Sequence, residues 1–132
     1  MAVPESVRRA VRQRADSRCE YCRMRQSWEH STRYHVEHIQ ARQHGGSDDA
    51  QNLALACLHC NLSKGPNLTS IDPDRCDIVK LFNPRTEAWD EHFKLEDGVI
   101  IGMTATGRTT VFLLEMNEWH RVKLRLGFFN EW

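Results

Sequence analysis

The sequence predicts an α+β fold gathered around paired cysteines, and three observations carry that reading. Four of the five cysteines form two CxxC pairs, Cys19/Cys22 and Cys57/Cys60, with 34 residues between them. Residues 33–65 alternate apolar runs with turn residues in the order strand, loop, strand, helix. An arginine-bearing stretch before the first pair has helical spacing. The composition agrees: 40% apolar and 27% charged residues make a globular chain rather than a disordered one. At 132 residues, two full domains would be cramped.

The first element is a helix. Pro4 suits a first helical turn, and Val7, Ala10, Val11 and Arg14 share one face up to about Ala15, while Arg8, Arg9 and Arg12 lie on another. No run approaches the roughly 18–20 apolar residues of a membrane span, and the N-terminus lacks the apolar core of a secretory signal. The expectation is a cytoplasmic protein with no membrane partner. A reducing compartment disfavours disulfides. Two CxxC knuckles instead present four thiolates tetrahedrally, which predicts a structural zinc ion on Cys19, Cys22, Cys57 and Cys60. Cys76 has no partner and reads as a small buried or half-buried residue.

Residues 25–33 read as a polar connection. RYHVEHIQ predicts a short strand, GGSDDAQN a turn, and LALAC a returning antiparallel strand. Leu58 to about Lys64 predicts a helix stopped by Gly65-Pro66. TSIDPDRC reads as a polar link. Beyond it, FKLED and GVIIGMT predict a hairpin, TTVFLLEMN fits a helix better than a strand, and EWHRVKLRLGFFNEW predicts a final helix ending near Gly127. Two parts follow: residues 1–66, and residues 67–132 as an α/β extension packing on them.

Charge is uneven although the net charge is zero. Residues 1–70 hold ten Lys/Arg against seven Asp/Glu, and residues 71–132 hold eight against eleven. The basic N-terminal part is the place to seek a polyanion; a solvated charged face is the plainer explanation. The acidic extension leaves room for a protein-docking surface.

Residues 35–64 carry the chemistry. Glu37 and His38 stand together at a strand end, Asn52 follows fourteen residues later, and Asn61 sits directly after the second knuckle. Phosphodiester hydrolysis needs a base near neutral pH, which histidine supplies, and an ion to take up charge on phosphate. A carboxylate with an amide oxygen forms a hard-oxygen site suited to Mg²⁺ or Mn²⁺. Adjacent strand residues face opposite ways, so Glu37 and His38 can share one site only where the strand bends or ends. His35, in phase with Glu37, is a rival ligand, although an ordinary strand histidine is the simpler assignment. His59 could compete for zinc, but four cysteines already complete a tetrahedron.

The order CxxC…EHI…GG…NLxLxCxxCNxxK resembles the HNH endonuclease family, in its four-cysteine McrA-like branch, over residues 19–65. The tail LFNPR…W…HF…GMTATGR is also similar to bacterial HNH proteins of unassigned role. The resemblance implies a ββα-metal (His-Me) finger and a DNA substrate. It implies His38 as general base, Glu37 and Asn61 as ligands of a catalytic Mg²⁺ or Mn²⁺, and Asn52 as the residue that ties the loop and orients the base. Lys64 matches a basic position expected to meet a phosphate, and Arg42 is a second candidate phosphate contact. The chain departs from the pattern in having Gln40-Ala41 where many relatives carry proline, and Glu where Asp or His is usual. The alternative is a non-catalytic zinc module that binds nucleic acid or a protein. A degenerate nuclease part of a larger system is a third reading.

Overall fold

The computed structural model describes residues 2–132. The chain divides into two compact units, Met1–Pro66 and Asn67–Trp132. The class is mixed α and β with three two-stranded antiparallel sheets and a four-cysteine cluster.

In the first unit, α1 (Glu5–Arg14) starts after Pro4, whose carbonyl accepts from the amides of Val7 and Arg8 at 3.0 Å. Glu5 in its first turn and Arg12 and Arg14 in its last complement the helix dipole. Val11 carries its buried face. The chain then reverses through Asp16 and Ser17, both with positive φ, into a tight loop where the Cys19 amide donates to the Met24 carbonyl at 2.8 Å. Trp28 is buried within the connection that read as merely polar. Strands β1 (His35–His38) and β2 (Leu53–Ala56) pair antiparallel with His38 opposite Leu53 and Val36 opposite Leu55. All four β2 residues are buried, because α1 packs against this strand and helix α2 (Leu58–Lys64) also contacts it. An unbroken apolar run is what such burial selects, and each leucine so buried contributes roughly 1.5–3 kcal/mol. The Cys57 thiol caps α2 by accepting from the Cys60 amide at 3.4 Å.

In the second unit, the stretch expected as a polar link is instead a hairpin of β3 (Thr69–Ile71) and β4 (Ile78–Lys80). Asp72 closes its turn, its carboxylate accepting from the Asp74 amide at 3.0 Å and its carbonyl from the Cys76 amide at 2.8 Å. Cys76 is exposed at positive φ, which corrects the expectation of burial. Helix α3 (Trp89–His92) leads into β5 (Phe93–Glu96) and β6 (Val99–Gly102), joined by Asp97-Gly98 with both φ positive, the backbone that matches strand twist in a two-residue turn. Helix α4 (Ala105–Leu113), capped by Thr104, lies on β6, and α5 (Trp119–Gly127) closes the unit. Close approach demands glycine at Gly107, where a Cβ would strike the His92 carbonyl oxygen. Buried Arg125 donates to the Gly98 and Met116 carbonyls at 2.6 Å and so holds the hairpin turn. Among the described residues, no helix is long and apolar enough to cross a membrane.

Candidate active site and metal centre

Cys19 and Cys22 arrive on the loop after α1, and Cys57 and Cys60 on the first turn of α2. All four are fully buried, and their sulfurs lie within 4.8 Å of one another. Cys22 Sγ and Cys57 Sγ are 3.8 Å apart. A tetrahedron with zinc–sulfur arms of about 2.3 Å has edges of about 3.8 Å, so the cluster fits zinc. The crowding pushes the Cys57 and Cys60 thiols far above their ordinary value, hydrogen bonding with Cys19 foremost and burial adding to it. A central dication reverses that penalty by stabilising thiolates. The amides of Cys22 and Cys60 point at Cys19 Sγ and Cys57 Sγ at 3.5 and 3.4 Å, which favours the charged sulfur further.

The cysteine centre anchors α2 beside the end of β1. There, an open cavity of about 480 Å³ is lined by Glu37, His38, Arg42, Asn61, Leu62 and Pro66, among others. Glu37 and His38 both reach it because β1 ends at His38. Asn61 enters from the first turn of α2; its side chain is half-buried and hydrogen-bonded to nothing among the described residues.

Glu37 is only 6% exposed. Tyr21 Oη donates to its Oε1, and Lys64 Nζ lies 3.4 Å from Oε2. Burial holds this carboxyl above its usual value, while Lys64 and then Tyr21 pull it back down. A carboxylate offers about four acceptor positions, so with Tyr21 and Lys64 engaged it still has lone pairs for a hard cation, and Asn61 adds a neutral oxygen. The donor set fits Mg²⁺ or Mn²⁺. Lys64, expected at a phosphate, is instead 2% exposed, and its ammonium donates to the Ile39 and His38 carbonyls at 2.9 and 3.5 Å. Its charge faces inward, onto the strand end and Glu37.

Asn52 stands behind the cavity. Its Nδ2 donates to the Gln40 and Ser47 carbonyls at 2.9 and 2.7 Å, and its Oδ1 accepts from the Gln40 amide at 2.9 Å. The loop is cinched so tightly that a Cβ at Gly46 would overlap the Gln40 carbonyl. His35 is exposed and does not line the cavity.

Two residues escaped the sequence reading. Asp48 Oδ1 lies 2.7 Å from His38 Nε2 and accepts from Arg42 Nη2 and Nε at 2.9 and 3.0 Å. These two neighbours, His38 first, hold the Asp48 carboxyl below its usual value. Its signal was the acidic pair in GGSDD, read only as a turn. Tyr21 sits inside the first knuckle, CEYC, and nothing in that local pattern signals its contact with Glu37, sixteen residues on.

Residues 19–67 match the family model of the HNH endonuclease. The matched segment begins at Cys19, the first cysteine of the cluster, and ends just past α2, so it contains both knuckles and every residue of the cavity just described. It points to nuclease-type chemistry beside a structural zinc. No curated protein and no solved structure matches the chain.

Proposed function

We propose that the HNH segment is a ββα-metal finger that hydrolyses phosphodiester bonds in DNA. The observation that carries the reading is the convergence of Glu37, His38, Arg42 and Asn61 on one open cavity. Here β1, β2 and α2 supply the two strands and the helix of the finger.

His38 is the general base. Its Nε2 is committed to Asp48, so that nitrogen keeps the proton and Nδ1 offers its lone pair to water. The water oxygen, losing its proton to Nδ1, attacks phosphorus, and the bond to the 3′ oxygen breaks as that oxygen takes a proton from solvent water. Glu37 and Asn61 would hold the divalent ion, which would supply positive charge to stabilise the reacting phosphate. Arg42, half-exposed at the rim and already ordered by Asp48, donates to a phosphate oxygen. Asn52 keeps the loop closed so that the base stays in register. Lys64 acts as a positioning residue: its buried ammonium fixes the carbonyls at the end of β1 and orients Glu37.

A second reading, a non-catalytic zinc module, draws on one observation: Glu37 is already paired with Tyr21 and Lys64, as in a structural ion pair. Plasmid nicking separates the two. Zinc-loaded protein is expected to nick only with added Mg²⁺ or Mn²⁺, and His38→Ala to lower turnover by roughly 10²–10⁴ while keeping its zinc. A zinc-loaded, folded wild type that cuts nothing with either ion favours the binding module.

A further inference from the structure

We propose that a second cavity of the first unit, flanked by Arg12 and Arg33, binds the phosphodiester backbone of the same nucleic acid. The inference rests on the nuclease reading for its ligand, but its observations are separate. The cavity measures about 380 Å³ and is lined by Arg12 and Arg33 together with the hydroxyl-bearing residues Ser17, Ser27, Ser31 and Thr32, with Glu29 and His30 also on its wall.

The seven arginines of residues 1–25 are not equivalent. Arg8 donates to the Val3 carbonyl, Arg14 to the Ala50 and Leu53 carbonyls, Arg18 to the Arg23 carbonyl, and Arg25 pairs with Asp16. These charges serve the fold. Arg12, and Arg33 beyond that stretch, have no hydrogen bond or ion pair among the described residues; exposed Arg9 has none either, but only Arg12 and Arg33 share this cavity. They lie near enough to repel: burial lowers the Arg12 pKa first, Arg33 lowers it next, Arg8 adds slightly, and only Glu5 opposes. The Glu29 carboxylate accepts from Tyr34 Oη at 2.9 Å. Two converging like charges among hydroxyl donors suit an oxyanion, and arginine forks suit phosphate.

Position decides between a free phosphate and a backbone. Leu55 lines this cavity, its cross-strand partner Val36 lines the one holding His38, and directly opposed residues have Cα atoms about 4.5–5.5 Å apart. The two cavities therefore flank a single cross-strand pair. Both cavities are thus assigned to one nucleic-acid backbone rather than to a free phosphate.

The test titrates a short labelled duplex with the full chain, zinc-loaded and without Mg²⁺ or Mn²⁺, at several salt concentrations. In Arg12→Ala/Arg33→Ala the affinity should fall roughly tenfold and the slope of log K against log salt should become shallower by about one to two, the signature of one or two lost phosphate contacts. Arg12→Lys/Arg33→Lys should keep the slope. If the double alanine variant loses zinc, Arg33→Glu at its exposed position repeats the measurement. Unchanged affinity and slope overturn the proposal, as does a wild type that fails to bind duplex. Calorimetry with inorganic phosphate separates the sources: phosphate binding that needs these arginines while duplex binding ignores them also overturns it. Duplex binding that depends on both arginines, in a protein that cuts nothing with Mg²⁺ or Mn²⁺, leaves this cavity standing and removes the hydrolytic reading instead.

Discussion

At the scale of single residues, the base proposed at the end of β1 has an acid ten positions away as its hydrogen-bond partner. Asp48 meets His38 Nε2 at 2.7 Å and is itself held by two nitrogens of Arg42. An acceptor at Nε2 selects the tautomer that leaves Nδ1 unprotonated. Carboxylates that hold a functional imidazole typically cost roughly 10–100-fold when removed. Asp48→Ala should therefore lower kcat by that range with KM little changed, whereas Asp48→Asn, which keeps an acceptor oxygen, should retain most of the rate. Nitrogen-15 shifts of the His38 ring should report protonated Nε2 in wild type and the asparagine variant, and a mixture of tautomers in the alanine variant. Identical shifts in all three would remove Asp48 from the mechanism. The residue was hidden in the sequence because a loop acid gains meaning only once the loop closes, and closure depends on three Asn52 hydrogen bonds. Lys64 differs for the opposite reason: a lysine closing a short helix suggests an outward charge able to meet a phosphate, but α2 carries it inward to the end of β1.

At the scale of elements, legibility followed the strength of the local pattern. Helix α1, the β1–β2 hairpin and α2 were readable because apolar periodicity and the cysteine spacing agree on their bounds. The β3–β4 hairpin was not. Its strands have three residues each, Ile71 and Ile78 lie 45% and 75% exposed, and the intervening Asp-Pro-Asp reads as a plain turn. What holds it is tertiary: Asp72 accepts from Arg108 of α4 through both oxygens, at 3.2 and 2.8 Å. Arg108 depresses the Asp72 carboxyl below its usual value, with the Asp74 amide adding to the effect. A depressed carboxyl stabilises the fold fully above the unfolded value of about 3.9, and that contribution fades as pH falls toward the lowered value. Acidification below about pH 4 should therefore weaken the second unit, and Asp72→Asn should flatten that part of the stability–pH curve. Thermal melts across this window check the sign: an unchanged slope in the variant would mean other carboxylates govern acid sensitivity.

At the scale of the whole molecule, the two units differ in what they depend on. Every cysteine of the cluster lies in Met1–Pro66, and the pairs come from segments 34 residues apart, so a zinc ion held there would close a long loop beside α2. Without a dication the four crowded sulfurs disfavour the thiolate form that zinc requires, as the raised Cys57 and Cys60 thiols indicate. Structural zinc sites carry apparent binding energies of about 10–16 kcal/mol in small domains, comparable to or larger than the 5–15 kcal/mol stability of a typical protein. Asn67–Trp132 contains none of these ligands and has its own core, with Phe93, Ile100, Leu114 and Met116 all buried. A strong chelator should therefore abolish amide-exchange protection in β1, β2 and α2 while leaving β5, β6 and α4 protected, and Cys60→Ser should reproduce that pattern without chelator. Restoring zinc should return protection to the first unit alone. Loss of protection across both units on chelation would instead show that the extension cannot stay folded without the zinc-bearing half.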